Sequence, residues 1–231
     1  MENTNGNLAA TVDAVLRSRK TVRAFRPDPV SRAQVFEIID VARTAPSTFN
    51  TQPWRLHVLT GEPKRSLSEA VVNAHFSNTI AYHAAIPQDA PAELLARQND
   101  FGRRYYAALG IDRSDLQARS RQTARNYVFF DAPVGLLLTI DSQLTKHSWL
   151  DCGLFLENII IAAQARGLAT IAQVSFVRYQ AAITDILGLE PNESVVCGVS
   201  LGYPDEESSL NRLDMPREQV DSFTEWHGFN H

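Results

Sequence analysis

Apolar residues recur along this chain at two different spacings, and the spacing changes from segment to segment. Leu8, Val12, Val15 and Leu16 fall at helical spacing, which predicts a short amphipathic helix over residues 8–18. Ser31 followed by Gln34 reads as a capping box, and Val35, Ile38, Ile39 and Ala42 then share one helical face to about Thr44. Trp54, Leu56 and Val58 alternate with Arg55 and His57, as in a half-buried strand closed by Gly61-Glu62-Pro63, and a helix is expected from about Lys64 to Ala74. Further on, Val134–Ile140 reads as a buried strand. Residues 148–166 read as a helix apolar on nearly every face, with Gly167 as its stop. Leu168–Val174 (strand), Tyr179–Leu187 (helix) and Val195–Leu201 (buried strand) complete the pattern.

Interleaved helices and strands, with at least four strands in one core, predict an α+β fold: a mixed central sheet packed by helices, in a single domain over residues 1–231. Residues 75–125 break the pattern. They mix helical fragments with Pro87, Pro91 and Gly110 and carry many arginines, so a helical, lid-like insertion is expected there. The all-round apolar helix reads as either central or buried against a second subunit, and the late aromatics Phe223, Trp226 and Phe229 suggest that the tail docks, on this chain or on a partner.

Composition narrows the function classes. The net charge of -4 leaves no extended basic surface for nucleic acid. No apolar run reaches membrane-spanning length, and the polar start lacks a signal peptide, so a soluble, cytoplasmic protein is expected. Cys152 and Cys197 lie in apolar surroundings and read as buried, reduced thiols. The histidines show no metal-binding spacing, and neither GxGxxG nor a P-loop occurs. Gly198-Val199-Ser200-Leu201-Gly202 matches the GxSxG of hydrolases. Proline and a loop follow it where a helix is needed, so Gly198 and Gly202 are read as easing close packing at a strand end, and a serine hydrolase using Ser200 is the weakest alternative.

Against this acidic background, Arg17–Arg26 holds five cations without an acid, and Thr21 adds a hydroxyl. Cations, a hydroxyl and free N–H groups suit a phosphate monoester, although a solvated basic helix end has the same composition. The loop at residues 45–53 places Ser47, Thr48, Asn50 and Gln52 between Pro46 and Pro53, which suggests a second wall of one polar site.

With these residues in place, the chain resembles the FMN-dependent nitroreductase family, nearest to its nitrobenzoate and dinitroaniline types. The resemblance is carried by Ser18–Phe25, Ala45–Trp54, Phe129–Pro133, Gly167–Thr170, the Gln173 segment, Val196–Gly198 and Leu201–Pro204, with Arg217 and Trp226 in the tail. It implies an intertwined homodimer with the long apolar helix at the interface, residues 205–231 as a C-terminal arm on the partner subunit, FMN at the subunit interface and NAD(P)H as electron donor. Arg19, Lys20 and Thr21 would hold the phosphate and ribityl chain, helped by Arg217, with Arg23 at the pyrimidine edge. Pro46, Ser47, Thr48 and Asn50 would come from the other subunit, and Gln173, Val174 and Ser175 would face N5 and O4, the latter two through backbone N–H groups. Lys20 and Thr21 stand where many relatives carry other residues of like chemistry. The implied activity is hydride transfer through the flavin to a small nitroaromatic by a ping-pong mechanism, with no catalytic side chain and no metal. Phe49, Phe76, Tyr82, Tyr127 and Phe129 are candidate pocket walls, because flat acceptors suit aromatic rings. A quinone or flavin reductase, or a flavin-binding protein without turnover, would share the same motifs.

Overall fold

The centre of the fold is a strand that is apolar and buried along nearly its whole length. Val134–Asp141 (β2) is flanked by Trp54–Leu59 (β1) on one side and Glu193–Gly202 (β4) on the other, and Ala169–Gln173 (β3) closes the sheet beyond β4. The computed structural model describes residues 2–77 and 86–229, with the side chains of residues 2–5 left aside. Pairing within the order β1-β2-β4-β3 is antiparallel throughout, with a register shift at Leu138/Thr139, and among the described residues parallel pairing enters through a bridge from Thr21 to Thr170.

Alternation along β2 builds a core on each face of the sheet. Leu136, Leu138 and Ile140 face Val35, Ile38 and Ala42 of α2 (Arg32–Ala42) together with Cys152, Phe155 and Ile159 of a long helix, Lys146–Gln164. Leu137 faces the opposite way, toward Leu67 and Val71 of a helix spanning Gly61–Phe76 and Ile183 of another spanning Gln180–Leu187. With the N-terminal helix Glu2–Ser18 (α1), the pair Ala92–Ala108 and Leu116–Ala124 in the expected insertion, and those just named, the helices run in chain order as α1 to α7. The α+β class and the helix-packed sheet agree with the sequence.

Local signals explain most boundaries. Ser31 and Gln34 form the full capping box of α2. Gly188 ends α7 in the left-handed conformation. Gly61-Glu62-Pro63, expected to close β1 as a turn, opens α3 instead, because proline in the first turn of a helix forfeits no hydrogen bond. The two glycines of the GxSxG segment are packing residues. A Cβ at Gly198 would lie 2.4 Å from Phe176 Cδ2, and one at Gly202 2.6 Å from Pro133 Cδ. Cys152 and Cys197 are free and buried, and burial pushes their thiols up to about 11 and about 12.

Candidate functional site

The basic stretch is an extended segment laid along the edge of β3. Thr21 bridges Thr170, and the Val22 N–H donates to the Thr170 carbonyl at 3.2 Å. Further along, the Arg26 N–H reaches the Tyr203 carbonyl at 2.9 Å. Asn211 pins the middle: its Oδ1 accepts from the Arg23 N–H at 2.8 Å, and its Nδ2 donates to the carbonyls of Ala24 and Asp205 at 2.7 and 2.8 Å. Period-two alternation splits the cations. Ser18, Lys20 and Val22 line a cleft of about 440 Å³ with Gly167, Ala169 and Arg212, which places Arg19, Thr21 and Arg23 on the other side.

Arg23 is the best enclosed of these cations. Its guanidinium carbon lies 5.3 Å from the Phe101 ring centroid and 5.0 Å from that of Tyr105, both on α4. Burial lowers its pKa, with Tyr105 countering in part, and among the described residues it makes no ion pair.

The loop after α2 holds three non-glycine residues at positive φ, Phe49 (50°), Asn50 (57°) and Gln52 (47°). Such conformations cost roughly 1 kcal/mol or more each and need external support. Asp151, on the second turn of α6, accepts the Thr48 N–H at 3.2 Å and lies within 3.3 Å of the Thr48 hydroxyl. Ser47 Oγ accepts from the Gln52 N–H at 3.0 Å, and Gln52 in turn binds Asn50. The loop therefore holds Phe49, 96% exposed, away from its own chain.

At the far end of β3, Gln173 is buried and committed at both ends of its amide, accepting from Ser200 Oγ at 3.1 Å and donating to the Asn126 carbonyl at 2.7 Å. It positions the strand end with its side chain, rather than presenting that side chain. Val174 follows, 64% exposed, and opens a short 3₁₀ turn with Ser175, so their N–H groups have no acceptor within the turn. Phe176 plugs the core beneath, stacked on Phe129 with centroids 4.9 Å apart. The hydroxyls of Ser175 and Tyr127 are buried there, and burial pushes the Tyr127 phenol up. His75 lies alongside: Nδ1 is 2.9 Å from the Tyr179 hydroxyl and Nε2 is 3.2 Å from the Ser120 carbonyl. A carbonyl only accepts, so Nε2 carries the proton, and burial, with Arg178 nearby, lowers the His75 pKa.

The structure does not gather every residue singled out from sequence. Tyr127 and Phe129, expected as pocket walls, are wholly buried in the core between the sheet, α3 and α7. The alternation and aromatic content of that segment serve packing. Phe76 is exposed on the last turn of α3, and Tyr82 lies outside the described residues. Arg217 folds back on its own backbone, donating to the carbonyls of Met215 and Pro216. The first part of the tail rests on α4 of the same chain, through Ser209 to the Ala108 carbonyl and an Arg97–Glu218 ion pair at 2.9 Å. Ser200 is fully buried on Gln173, and His227 is exposed beside Glu225, so no hydrolase triad forms. Among the described residues no acidic or His/Cys cluster suits a metal, and no helix is long and apolar enough to cross a membrane.

Asp151, Asn211, Phe101 and Tyr105 were not anticipated. A lone acid inside the apolar run from Trp149 to Leu156 is the one local signal that marks Asp151.

Residues 16–203 match the model of the Nitroreductase family. The chain is 49% identical to a 4-nitrobenzoate reductase of Pseudomonas putida, over 94% of this chain and 96% of that protein. It is 37% identical to a nitrobenzene nitroreductase of Ectopseudomonas oleovorans, over 92% and 95% of the two chains. The crystal structure of the FMN-dependent nitroreductase NfnB from Mycobacterium smegmatis in complex with NADPH superposes with a TM-score of 0.90 at 30% identity, covering 95% of this chain and 99% of that one.

Proposed function

The chain belongs to the nitroreductase family, and on that premise we propose that it is an FMN-dependent oxidoreductase carrying electrons from NAD(P)H to a nitroaromatic acceptor. The observation that carries this reading is the order of groups along one sheet edge. Because Thr21 pairs in parallel with Thr170, the basic segment and β3 run the same way, with Arg19 and Thr21 first and Arg23 next. The N–H groups of Val174 and Ser175 lie beyond, roughly 13 Å from Thr170 at about 3.3 Å per residue. Cation and hydroxyl, then an enclosed cation, then paired N–H donors match a phosphate, a ring edge that gains negative charge, and a ring nitrogen with its neighbouring carbonyl.

When bound, FMN supplies the redox chemistry, taking up two electrons as hydride from the nicotinamide and passing them to the nitro group. The protein's part is binding and electrostatics. Arg19, Lys20 and Thr21 hold the phosphate and ribityl chain, with Lys20 acting from the cleft side. Arg23 places positive charge at the pyrimidine edge, and Val174 and Ser175 donate backbone N–H groups at the N5 edge. An open site would admit donor and acceptor in turn and let water supply protons.

The assembly is a homodimer. Leu150 (67% exposed), Trp149 and Leu154 on α6, the stripe Leu8, Val12 and Leu16 on α1, and Phe223, Trp226 and Phe229 leave a large apolar surface on the single chain. The loop with Pro46, Ser47, Thr48 and Asn50 then lines the cofactor held by its partner, with Phe49 over the acceptor, and Arg217 adds charge to the phosphate from the tail. Similarity to the 4-nitrobenzoate reductase favours a nitrobenzoate-like acceptor.

An anaerobic visible spectrum tests the reading. FMN absorbance should bleach on adding NADPH or NADH and return with 4-nitrobenzoate. Failure to take up FMN would overturn it.

A further inference from the structure

We propose that α4 tunes the redox balance of the bound cofactor through a pair of aromatic rings, Phe101 and Tyr105, that position Arg23. This rests on the FMN reading above and assigns residues of the insertion a role in it.

Phe101 and Tyr105 stand one helical turn apart on the same face of α4, with ring centroids 5.5 Å apart and planes within 11° of parallel. The Arg23 guanidinium carbon lies about equally far from both, at 5.3 and 5.0 Å, so the rings act as one platform. The platform is itself braced. Gln122 of α5 donates to the Tyr105 hydroxyl at 2.7 Å, Tyr106 packs edge-on against Tyr105, and Asn211 fixes the Arg23 backbone. Five donors in a rigid plane let a guanidinium rest its face on rings and keep its N–H edge for hydrogen bonding.

The charge on Arg23 is unusual for its setting. A largely buried cation ordinarily meets a carboxylate, because desolvation is costly otherwise. Here, among the described residues, only ring faces meet it. Aromatic faces tolerate a cation without neutralising it, so its field remains directed at whatever anion enters the site. Reduced FMN carries negative charge on its pyrimidine ring and the oxidised form does not. The platform therefore favours the reduced state selectively and raises the reduction potential. An acidic partner in the same place would cancel that effect.

The test is the midpoint potential of bound FMN, titrated spectroscopically, with oxidised-FMN affinity measured in parallel. Tyr105→Leu and Phe101→Leu should lower the preference for reduced over oxidised FMN about ten-fold, a shift of about 30 mV to lower potential for a two-electron couple. Their affinity for oxidised FMN should be nearly unchanged. Tyr105→Phe keeps the ring and loses only the Gln122 hydrogen bond, so its potential should stay closer to wild type than that of Tyr105→Leu. A merely structural platform would weaken both redox states equally and leave the potential where it was, which overturns the proposal. If Tyr105→Leu does not fold, the less buried Phe101 carries the test. Wild-type protein that takes up no FMN would overturn the reading of the site itself, whereas FMN-loaded variants at the wild-type potential would overturn the platform alone.

Discussion

A single methyl group at residue 198 separates a packing glycine from a neutral one. The added Cβ would lie 2.4 Å from the Phe176 ring, which is fully buried and stacked on Phe129, so neither ring can yield. We expect Gly198→Ala to cost about 1–3 kcal/mol, read as a melting temperature lower by roughly 2–4 °C per kcal/mol. Gly102→Ala on α4, where nothing lies within 4 Å, should be neutral or stabilising. Glu193 raises a second question at this scale. Its buried carboxylate takes hydrogen bonds from Thr139 and His57 (2.6 Å), with Arg55 at 3.4 Å. Burial alone would raise its pKa, but the hydrogen bonds and the His57 charge outweigh it and leave the value below the ordinary one. A carboxyl held lower in the folded chain stabilises the fold above its unfolded pKa, and that contribution is lost as pH falls through the folded value. Stability should therefore decline as pH drops below about 4.3, more steeply than in Glu193→Gln. Superimposable pH profiles for the two proteins would contradict this.

At the scale of elements, the proposed site depends on how α6 holds the loop of residues 45–53. The loop's positive φ values do not persist without support, and Asp151 supplies it from a buried position. A hydrogen bond to a charged acceptor is worth about 1.5–3 kcal/mol, and 1.4 kcal/mol is a factor of ten in binding. We expect Asp151→Ala to weaken FMN binding about ten-fold or more in a fluorescence titration, with the far-UV circular dichroism unchanged. Asp151→Asn, which keeps one acceptor oxygen, should fall between. Unaltered FMN affinity in the alanine variant would show that the loop does not need this brace to serve the cofactor.

At the scale of the whole molecule, one chain buries two cores and still leaves apolar surface on α1, α6 and the tail. We expect the protein to sediment at twice the 25.7 kDa of the chain. Leu150→Asp should shift it toward monomer by placing a charge on the exposed face of α6. If each site draws its loop from the other subunit, as proposed, FMN should dissociate with the partner. A monomer that retains FMN would refute the shared site.

What was legible in the sequence was whatever depends on near neighbours. Alternation marked β1, apolar runs marked the buried strands β2 and β4, and helical spacing marked α1 and α2; the Ser31–Gln34 cap was readable outright, and the cations at Arg19, Lys20 and Arg23 drew attention to the segment that lies beside β3. The insertion was legible as helical but its placement was not, because α4 and α5 owe their position to contacts made across the chain. Tertiary structure alone decided that Tyr127 and Phe129 pack in the core and that Gln173 is committed within it. It also decided that Asp151 props the loop and that Phe101 and Tyr105 receive Arg23. Spacing and capping act over a turn or two of chain, so they are written locally. Burial, a strained φ held in place and the partner of an enclosed charge come from segments far apart in sequence, and they are settled only when the sheet and its helices close together.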